Sequence, residues 1–216
     1  LRREADRLAV ILTFEAPIYR QLGLDAEYVG TPLLDRVWPS RIAARATLGL
    51  PPEARVLGIF PGSRGQEVQM LWPAFRDAAQ RLLGEGRCSH AVVATTPAGA
   101  YPDPGPLILH RDDPVPVFAA ADAALAKSGT TTLECALADV PMVMAYRVHL
   151  LTWIIGRRLT DVPWFSLVNL IAERGIIPEI LQGQMTVAAL ATAAGPLLEA
   201  GSAVREAQLA GLAAVR

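Results

Sequence analysis

The 216-residue sequence has little of what marks several large classes of protein. No apolar run approaches the roughly 20 residues that a membrane-spanning helix needs. Cysteine occurs twice, at Cys88 and Cys135, which is too sparse for a disulfide framework and favours buried, reduced thiols. There is no basic run and no zinc-finger spacing, and the net charge is -1. These absences argue against nucleic acid as a partner.

Short apolar runs alternate with segments of helix-forming composition, and 52% of the residues are hydrophobic. Strands are predicted at 7–12, 26–30, 56–60, 91–95, 107–109, 123–126 and 142–146, and helices at 15–22, 40–48, 66–83, 115–121 and 130–138. Residues 187–216 are helical in composition, with breaks near Gly195 and Gly201. Repeated βα units of this length predict an α/β fold, a parallel sheet with helices on both faces.

The most informative motif spans residues 127–134, Lys-Ser-Gly-Thr-Thr-Thr-Leu-Glu. It lies where a predicted strand ends and a helix begins, so free backbone N–H groups and the helix dipole favour an anion there. Lys127 adds a full positive charge, and Glu134, about one turn into the helix, can accept hydrogen bonds from ribose hydroxyls. The alternative is that Thr130 and Glu134 only cap and solvate a helix.

A second loop of the same kind follows the strand at 56–60, with the sequence Pro-Gly-Ser-Arg-Gly-Gln-Glu at 61–67. Gly62 and Gly65 permit a close backbone approach, and Arg64 supplies a forked cation suited to phosphate oxygens. An ordinary turn with a solvated Arg64 is the competing interpretation. Because ligands of open α/β sheets bind beyond the carboxyl ends of the strands, Arg64 and Lys127 are expected on one ligand.

Residues 148–159 join bulky apolar residues to a basic end, Arg157-Arg158. The pattern resembles an interfacial membrane helix, in which Trp153 and Ile154 would face the lipid. A core helix with a pair of snorkelling arginines has the same pattern.

Seven segments in collinear order resemble the lipid-A-disaccharide synthase family. They are Phe-Glu-Ala-Pro-Ile-Tyr (14–19), Val-Gly-Thr-Pro-Leu (29–33), Pro-Gly-Ser-Arg-Gly-Gln-Glu (61–67), Ser-Gly-Thr-Thr-Thr-Leu-Glu (128–134), Pro-Met-Val-Met-Ala-Tyr-Arg (141–147), Asn-Leu-Ile-Ala (169–172) and Pro-Glu-Ile-Leu-Gln (178–182). The last two, following Ala-Tyr-Arg, are the most selective. The resemblance implies a GT-B glycosyltransferase of two Rossmann-like domains. It would join UDP-2,3-diacylglucosamine to 2,3-diacylglucosamine 1-phosphate and release UDP at the cytoplasmic face of the inner membrane.

The resemblance also implies roles for individual residues. The UDP-sugar would be bound by Gly62, Ser63, Arg64, Lys127, Ser128, Gly129, Thr130, Glu134, Tyr146, Arg147, Asn169, Glu179 and Gln182. Arg64 and Asn169 are the candidate catalytic residues, with a turn or cap residue as the alternative for Asn169. Neither a metal nor another cofactor is expected, since no Asp-x-Asp pattern is present.

Under this resemblance, residues 1–33 would be a remnant of the N-terminal acceptor domain with its linker. Residues 34–190 would form the donor-binding domain, the C-terminal half of the GT-B fold, and residues 191–216 the C-terminal helices. The general base that takes the acceptor's hydroxyl proton would belong to the missing N-terminal domain, so this chain alone is expected to bind UDP without turnover. Thr31 stands where the family often has histidine, so no imidazole role is carried over.

Two other functions stay open at this point. One is a different UDP-sugar GT-B enzyme or a UDP-N-acetylglucosamine 2-epimerase, which would share the loop around Gly129 and the ribose-binding Glu134. The other is a non-catalytic nucleotide-binding or membrane-peripheral module that depends on Trp153, Ile154, Arg157 and Arg158. A membrane surface and a second copy of the chain also stay open as partners.

Overall fold

A computed structural model describes residues 6–149 and 163–216. The chain divides into two compact units, residues 1–37 and 38–216. In the first unit, strands β1 (Leu8–Val10) and β2 (Ala26–Tyr28) pair in parallel, and helix α1 (Glu15–Gln21) connects them. A 3-10 turn, Pro32–Asp35, follows β2. The predicted division at residues 33 and 190 stays a prediction.

The second unit is built on a six-stranded sheet in which every neighbouring pair is parallel. Its strands, in sheet order, are β5 (Ile108–His110), β4 (His90–Ala94), β3 (Val56–Phe60), β6 (Ala123–Lys127), β7 (Met142–Tyr146) and β8 (Glu179–Leu181). The carboxyl ends of β3 and β6, the two central strands, therefore lie side by side.

Helices cover both faces of this sheet. They are α2 (Arg41–Thr47), α3 (Gly65–Gly84), α4 (Val115–Ala120), α5 (Thr130–Leu137), α6 (Leu167–Ala172), α7 (Val187–Ala194) and α8 (Ala203–Ala213). Leu57 and Ile59 of β3 join a core cluster with α3 and α7 on one face. Phe60 points to the other face, where its ring stacks on Phe118 of α4 at 4.0 Å. Successive side chains of β3 thus pack alternately into the cores on the two faces of the sheet.

Asp122, the residue before β6, holds the amino ends of strands β3 and β6 in place. Its carboxylate accepts the Val56 N–H at 2.8 Å and pairs with Arg45 at 2.7 Å and Arg41 at 3.1 Å. Arg45 is only 6% exposed, so this is a buried ion pair that fixes α2 against the start of β3 and β6.

The α/β prediction is confirmed, and most elements fall within one or two residues of their predicted bounds. The strand predicted at 107–109 begins and ends one residue later, at Ile108–His110. Elements α6 and β8 were not predicted as such. Within the described residues, no single helix is long and apolar enough to cross a membrane; one pair, Val187–Leu198 and Ala203–Ala213, passes on length and composition only, with a bend of 82°. The amphipathic residues Trp153, Ile154, Arg157 and Arg158 lie outside the described residues.

Candidate functional site

Two loops meet at the carboxyl ends of β3 and β6. The first, residues 61–64, leaves β3 and enters α3, while the second, residues 127–129, begins with the last residue of β6 and enters α5. The first loop and the start of α5 border a cavity of about 200 Å³ whose lining includes Gly62, Ser63, Thr130, Thr131 and Glu134. The loops that the sequence pairs on one ligand are therefore neighbours in the fold. We call them the phosphate loops, after the ligand that the sequence predicts for them.

Glu67, in the first turn of α3, connects the two phosphate loops. Its Oε2 atom accepts the backbone N–H groups of Ser63 at 3.2 Å and Arg64 at 3.4 Å. Its Oε1 atom lies 3.0 Å from the Lys127 ammonium and 3.2 Å from the Arg64 guanidinium. One carboxylate thus receives two backbone donors and the cations of both loops, Arg64 and Lys127.

The environment of Glu67 favours its ionised form. Burial alone would raise the pKa of its carboxyl, but the hydrogen bond and charge of Lys127, together with the N–H groups of Arg64 and Ser63, outweigh burial and leave the pKa below its usual value. The Lys127 and Glu67 side chains are only 19% and 18% exposed, whereas Arg64 is 80% exposed. Arg64 can therefore reorient toward a ligand more easily than Lys127.

Glycine is required at Gly62 for two reasons. Its φ is +118°, in the region that disfavours L side chains, and a Cβ there would lie 2.6 Å from Glu67 Oε2. The tight approach of the Glu67 carboxylate to the first loop thus depends on the missing side chain. Gly129, at φ +131°, makes the corresponding turn into α5.

The start of α5 presents polar groups to the cavity. Thr130, Thr131 and Glu134 line it, one helical turn separating the threonines from the carboxylate. Ser128, by contrast, donates its hydroxyl to the Phe165 carbonyl at 2.7 Å. In this structure Ser128 therefore ties the loop to a later segment, and its predicted phosphate contact stays a prediction.

The remaining predicted residues lie at the β7–β8 side of the sheet and hold that region together. The Arg147 guanidinium donates to the carbonyls of Gln182 and Met185, both at 3.1 Å. The Gln182 amide pairs with both backbone groups of Val148, accepting its N–H at 2.9 Å and donating to its carbonyl at 3.1 Å. The Tyr146 ring stacks on Phe165 at 6.2 Å between ring centroids.

Asn169 is completely buried on α6, and its amide is fully used within the protein. Its Oδ1 accepts the N–H groups of Ile176 at 2.8 Å and Ile177 at 3.0 Å. Its Nδ2 donates to the Ile177 carbonyl and to Glu179 Oε1, both at 2.9 Å. We call Arg147, Asn169, Glu179 and Gln182 the latch.

Glu179, the first residue of β8, completes the latch. Its two carboxylate oxygens accept the N–H groups of Phe165 at 2.8 Å and Ser166 at 3.0 Å. The carboxylate therefore binds backbone donors of this chain. The predicted contacts of Asn169, Glu179 and Gln182 with the UDP-sugar stay predictions, as does the predicted catalytic role of Asn169. In this structure the three side chains position neighbouring segments of the chain.

Sequence reasoning did not assign a role to Glu67, although a signal for it was present. An acidic residue at the third position of a helix is half of a capping box, which returns the carboxylate to the backbone of the preceding loop. Within residues 6–149 and 163–216, no three His, Cys, Asp or Glu side chains are grouped to hold a metal ion.

The model of the family described as lipid-A-disaccharide synthetase matches residues 1–213. The chain belongs to this family. Among curated relatives, the lipid-A-disaccharide synthase of Pseudomonas paraeruginosa (strain DSM 24068 / PA7) is 41% identical over 214 residues, which is 94% of this chain. That of Myxococcus xanthus (strain DK1622) is 38% identical over 228 residues and covers all of this chain. The chain spans 56% and 59%, respectively, of the length of these two relatives.

Comparison with solved structures identifies the fold. The crystal structure of WaaG, a glycosyltransferase involved in lipopolysaccharide biosynthesis, superimposes with a TM-score of 0.58 at 15% sequence identity. The alignment covers 95% of this chain and 56% of WaaG. The predicted Rossmann-like, GT-B fold class is thereby confirmed.

Proposed function

We propose that this chain is the donor-binding part of a lipid-A-disaccharide synthase. It would hold UDP-2,3-diacylglucosamine while the diacylglucosamine is transferred to 2,3-diacylglucosamine 1-phosphate and UDP is released. One observation carries the proposal: Gly62 and Ser63 of the first phosphate loop, and Thr130, Thr131 and Glu134 at the start of α5, line one cavity at the carboxyl ends of adjacent parallel strands. Membership of the lipid-A-disaccharide synthetase family supports the choice of sugar.

The residues of the cavity suit the chemistry of a departing nucleoside diphosphate. When the bond between the anomeric carbon and the diphosphate oxygen breaks, negative charge develops on UDP. Thr130 and Thr131 at the start of α5 line the cavity. The N–H groups there, together with Arg64 and Lys127, which both pair with Glu67, would stabilise that charge. Glu134 would accept hydrogen bonds from the ribose hydroxyls. Removal of the acceptor's hydroxyl proton would fall to a base outside this chain.

Calorimetric titration of the chain with UDP tests this proposal, with ADP and GDP as competing nucleotides. We expect uridine-selective binding that weakens about tenfold or more in Arg64→Ala, because charge-assisted hydrogen bonds contribute about 1.5–3 kcal/mol each. Glu134→Ala should also lose affinity, for UDP and uridine alike. Arg81→Ala is the matched control. Arg81 lies on α3, the helix that follows the first phosphate loop, but it pairs with Glu85 near the other end of that helix. Equal binding of all three nucleotides, or unchanged affinity in Arg64→Ala, would refute the assignment.

We further propose that the enzyme works at the cytoplasmic face of the inner membrane, where acylated donor and acceptor would be found. The support is the chemistry of these substrates and the amphipathic sequence at 148–159. Sedimentation with anionic lipid vesicles tests it. Binding should be lost in Trp153→Ala and retained in Arg64→Ala, and a chain that fails to sediment would count against the proposal.

A further inference from the structure

Glu67 receives the same groups that a bound diphosphate would need. The Ser63 and Arg64 N–H groups, the Arg64 guanidinium and the Lys127 ammonium all converge on its carboxylate. These four donors come from both phosphate loops. A helix-capping carboxylate needs only the backbone donors of its own loop, so the recruitment of Lys127 from the second loop requires a further explanation.

The charges of the site also indicate that Glu67 and a bound phosphate would compete for the same groups. Arg64 and Lys127 bring two positive charges to the phosphate loops, and Glu67 cancels one of them before any ligand arrives. The cations have further N–H donors and can contact a second anion, since an ammonium has three and a guanidinium five. The backbone N–H groups of Ser63 and Arg64 have one hydrogen each and cannot serve Glu67 and a phosphate fully at the same time.

We propose that Glu67 is an internal anion that occupies the diphosphate cradle in the empty site and that a nucleoside diphosphate must displace. Its presence stabilises the two loops in the absence of ligand and lowers their affinity for UDP. In a transferase that releases UDP, the returning carboxylate would favour departure of the product. The inference rests on the proposed function only in taking the ligand to be a nucleoside diphosphate.

Titration of Glu67→Gln with inorganic pyrophosphate and with UDP tests the inference. The glutamine has nearly the same shape and keeps one acceptor oxygen, but it removes a negative charge from the immediate neighbourhood of the ligand. We expect both ligands to bind about tenfold more tightly than to the unmodified chain, while uridine affinity stays the same. Glu85→Gln is the control, because Glu85 also pairs with an arginine of α3 but lies beyond its opposite end. It should change no affinity.

The outcomes separate this inference from the proposed function. If the unmodified chain binds UDP selectively but Glu67→Gln binds UDP and pyrophosphate equally or more weakly, Glu67 is a fixed strut and the inference is wrong while the function stands. If Glu67→Gln gains pyrophosphate affinity but no nucleotide is selected, the internal anion stands and the function fails. Circular dichroism checks the fold. If Glu67→Gln does not fold, Glu67→Asp, which keeps a capping carboxylate but is one methylene shorter, should show a smaller gain, and no gain would overturn the inference.

Discussion

The phosphate loops and the latch differ in what their polar atoms bind, although the sequence assigns both to the same donor. In the phosphate loops, the Arg64 side chain is 80% exposed, and the charged groups of Arg64, Lys127 and Glu67 pair with one another. In the latch, Asn169 is fully buried and Gln182 binds the backbone of Val148. Residues that look equally functional in a motif can therefore form an exposed, charged cluster in one region and hold backbone segments together in another.

The largest expected effect breaks the latch at Asn169, the only asparagine of the sequence. Asn169→Leu keeps the branching and the number of heavy atoms but leaves the N–H groups of Ile176 and Ile177 without their acceptor and removes a donor from Glu179. Because each unsatisfied buried group costs about 1–3 kcal/mol, we expect the free energy of unfolding to fall by about 3 kcal/mol or more. Urea unfolding followed by circular dichroism measures it.

Two comparisons give that result its meaning. Gln184→Leu changes an exposed amide on a neighbouring turn and should shift stability by less than about 0.5 kcal/mol, and so should Arg64→Ala in the phosphate loops. If Asn169→Leu were as stable as these variants but bound UDP poorly, Asn169 would belong with the ligand-binding residues and the contrast between the two regions would disappear.

A smaller effect is expected at Gln182, whose amide makes a two-point contact with Val148. Gln182→Ala removes both hydrogen bonds and should cost about 1–2 kcal/mol of stability. Gln182 also has a φ of +48°, a conformation that glycine adopts with less strain. Gln182→Gly should therefore be less destabilising than Gln182→Ala. If urea unfolding showed Gln182→Gly to be the less stable of the two variants, residue 182 would not have a positive φ in solution.

The sequence predicted the architecture well because the pattern that specifies it is local and repeated. Short apolar runs such as 56–60 and 142–146 lie next to segments with helical spacing, and this alternation leaves few arrangements other than a parallel sheet. Strand β8 was missed because three residues, Glu179–Leu181, carry too little alternation to be recognised and pair only at the sheet's edge. The short helix α6 was missed for the same reason of length.

The candidate site was predictable in part, because loops after adjacent strands must meet at one edge of the sheet. In the structure Arg64 and Lys127 pair with the same Glu67 carboxylate and Glu134 lines the cavity, while their contacts with a ligand stay predictions. The direction of a side chain is a tertiary property, and the motif gave no means of telling that Ser128 would turn to Phe165. Glu67 was assigned no role because a capping carboxylate is specified locally, whereas its pairing with Lys127 depends on how two distant loops are placed in the fold.

The smallest expected effect is a difference in how pH changes the stability of two variants. The phosphate loops are held together by charged groups, whereas Gln182 contacts Val148 through neutral hydrogen bonds. The pKa of Glu67 lies below its usual value of 4.5 in the folded protein, so its ionised form stabilises the fold above the unfolded pKa, and that stabilisation is lost as the pH falls through the folded pKa. We expect Glu67→Gln to be about 1 kcal/mol less stable than the unmodified chain at pH 7, as for loss of a helix cap. Urea unfolding between pH 7 and pH 3 should show this difference constant down to about pH 5 and shrinking below pH 4.5, whereas the deficit of Gln182→Ala should stay level across the range. A Glu67→Gln deficit that persists unchanged at low pH would mean that shape alone, without charge, holds the two phosphate loops together.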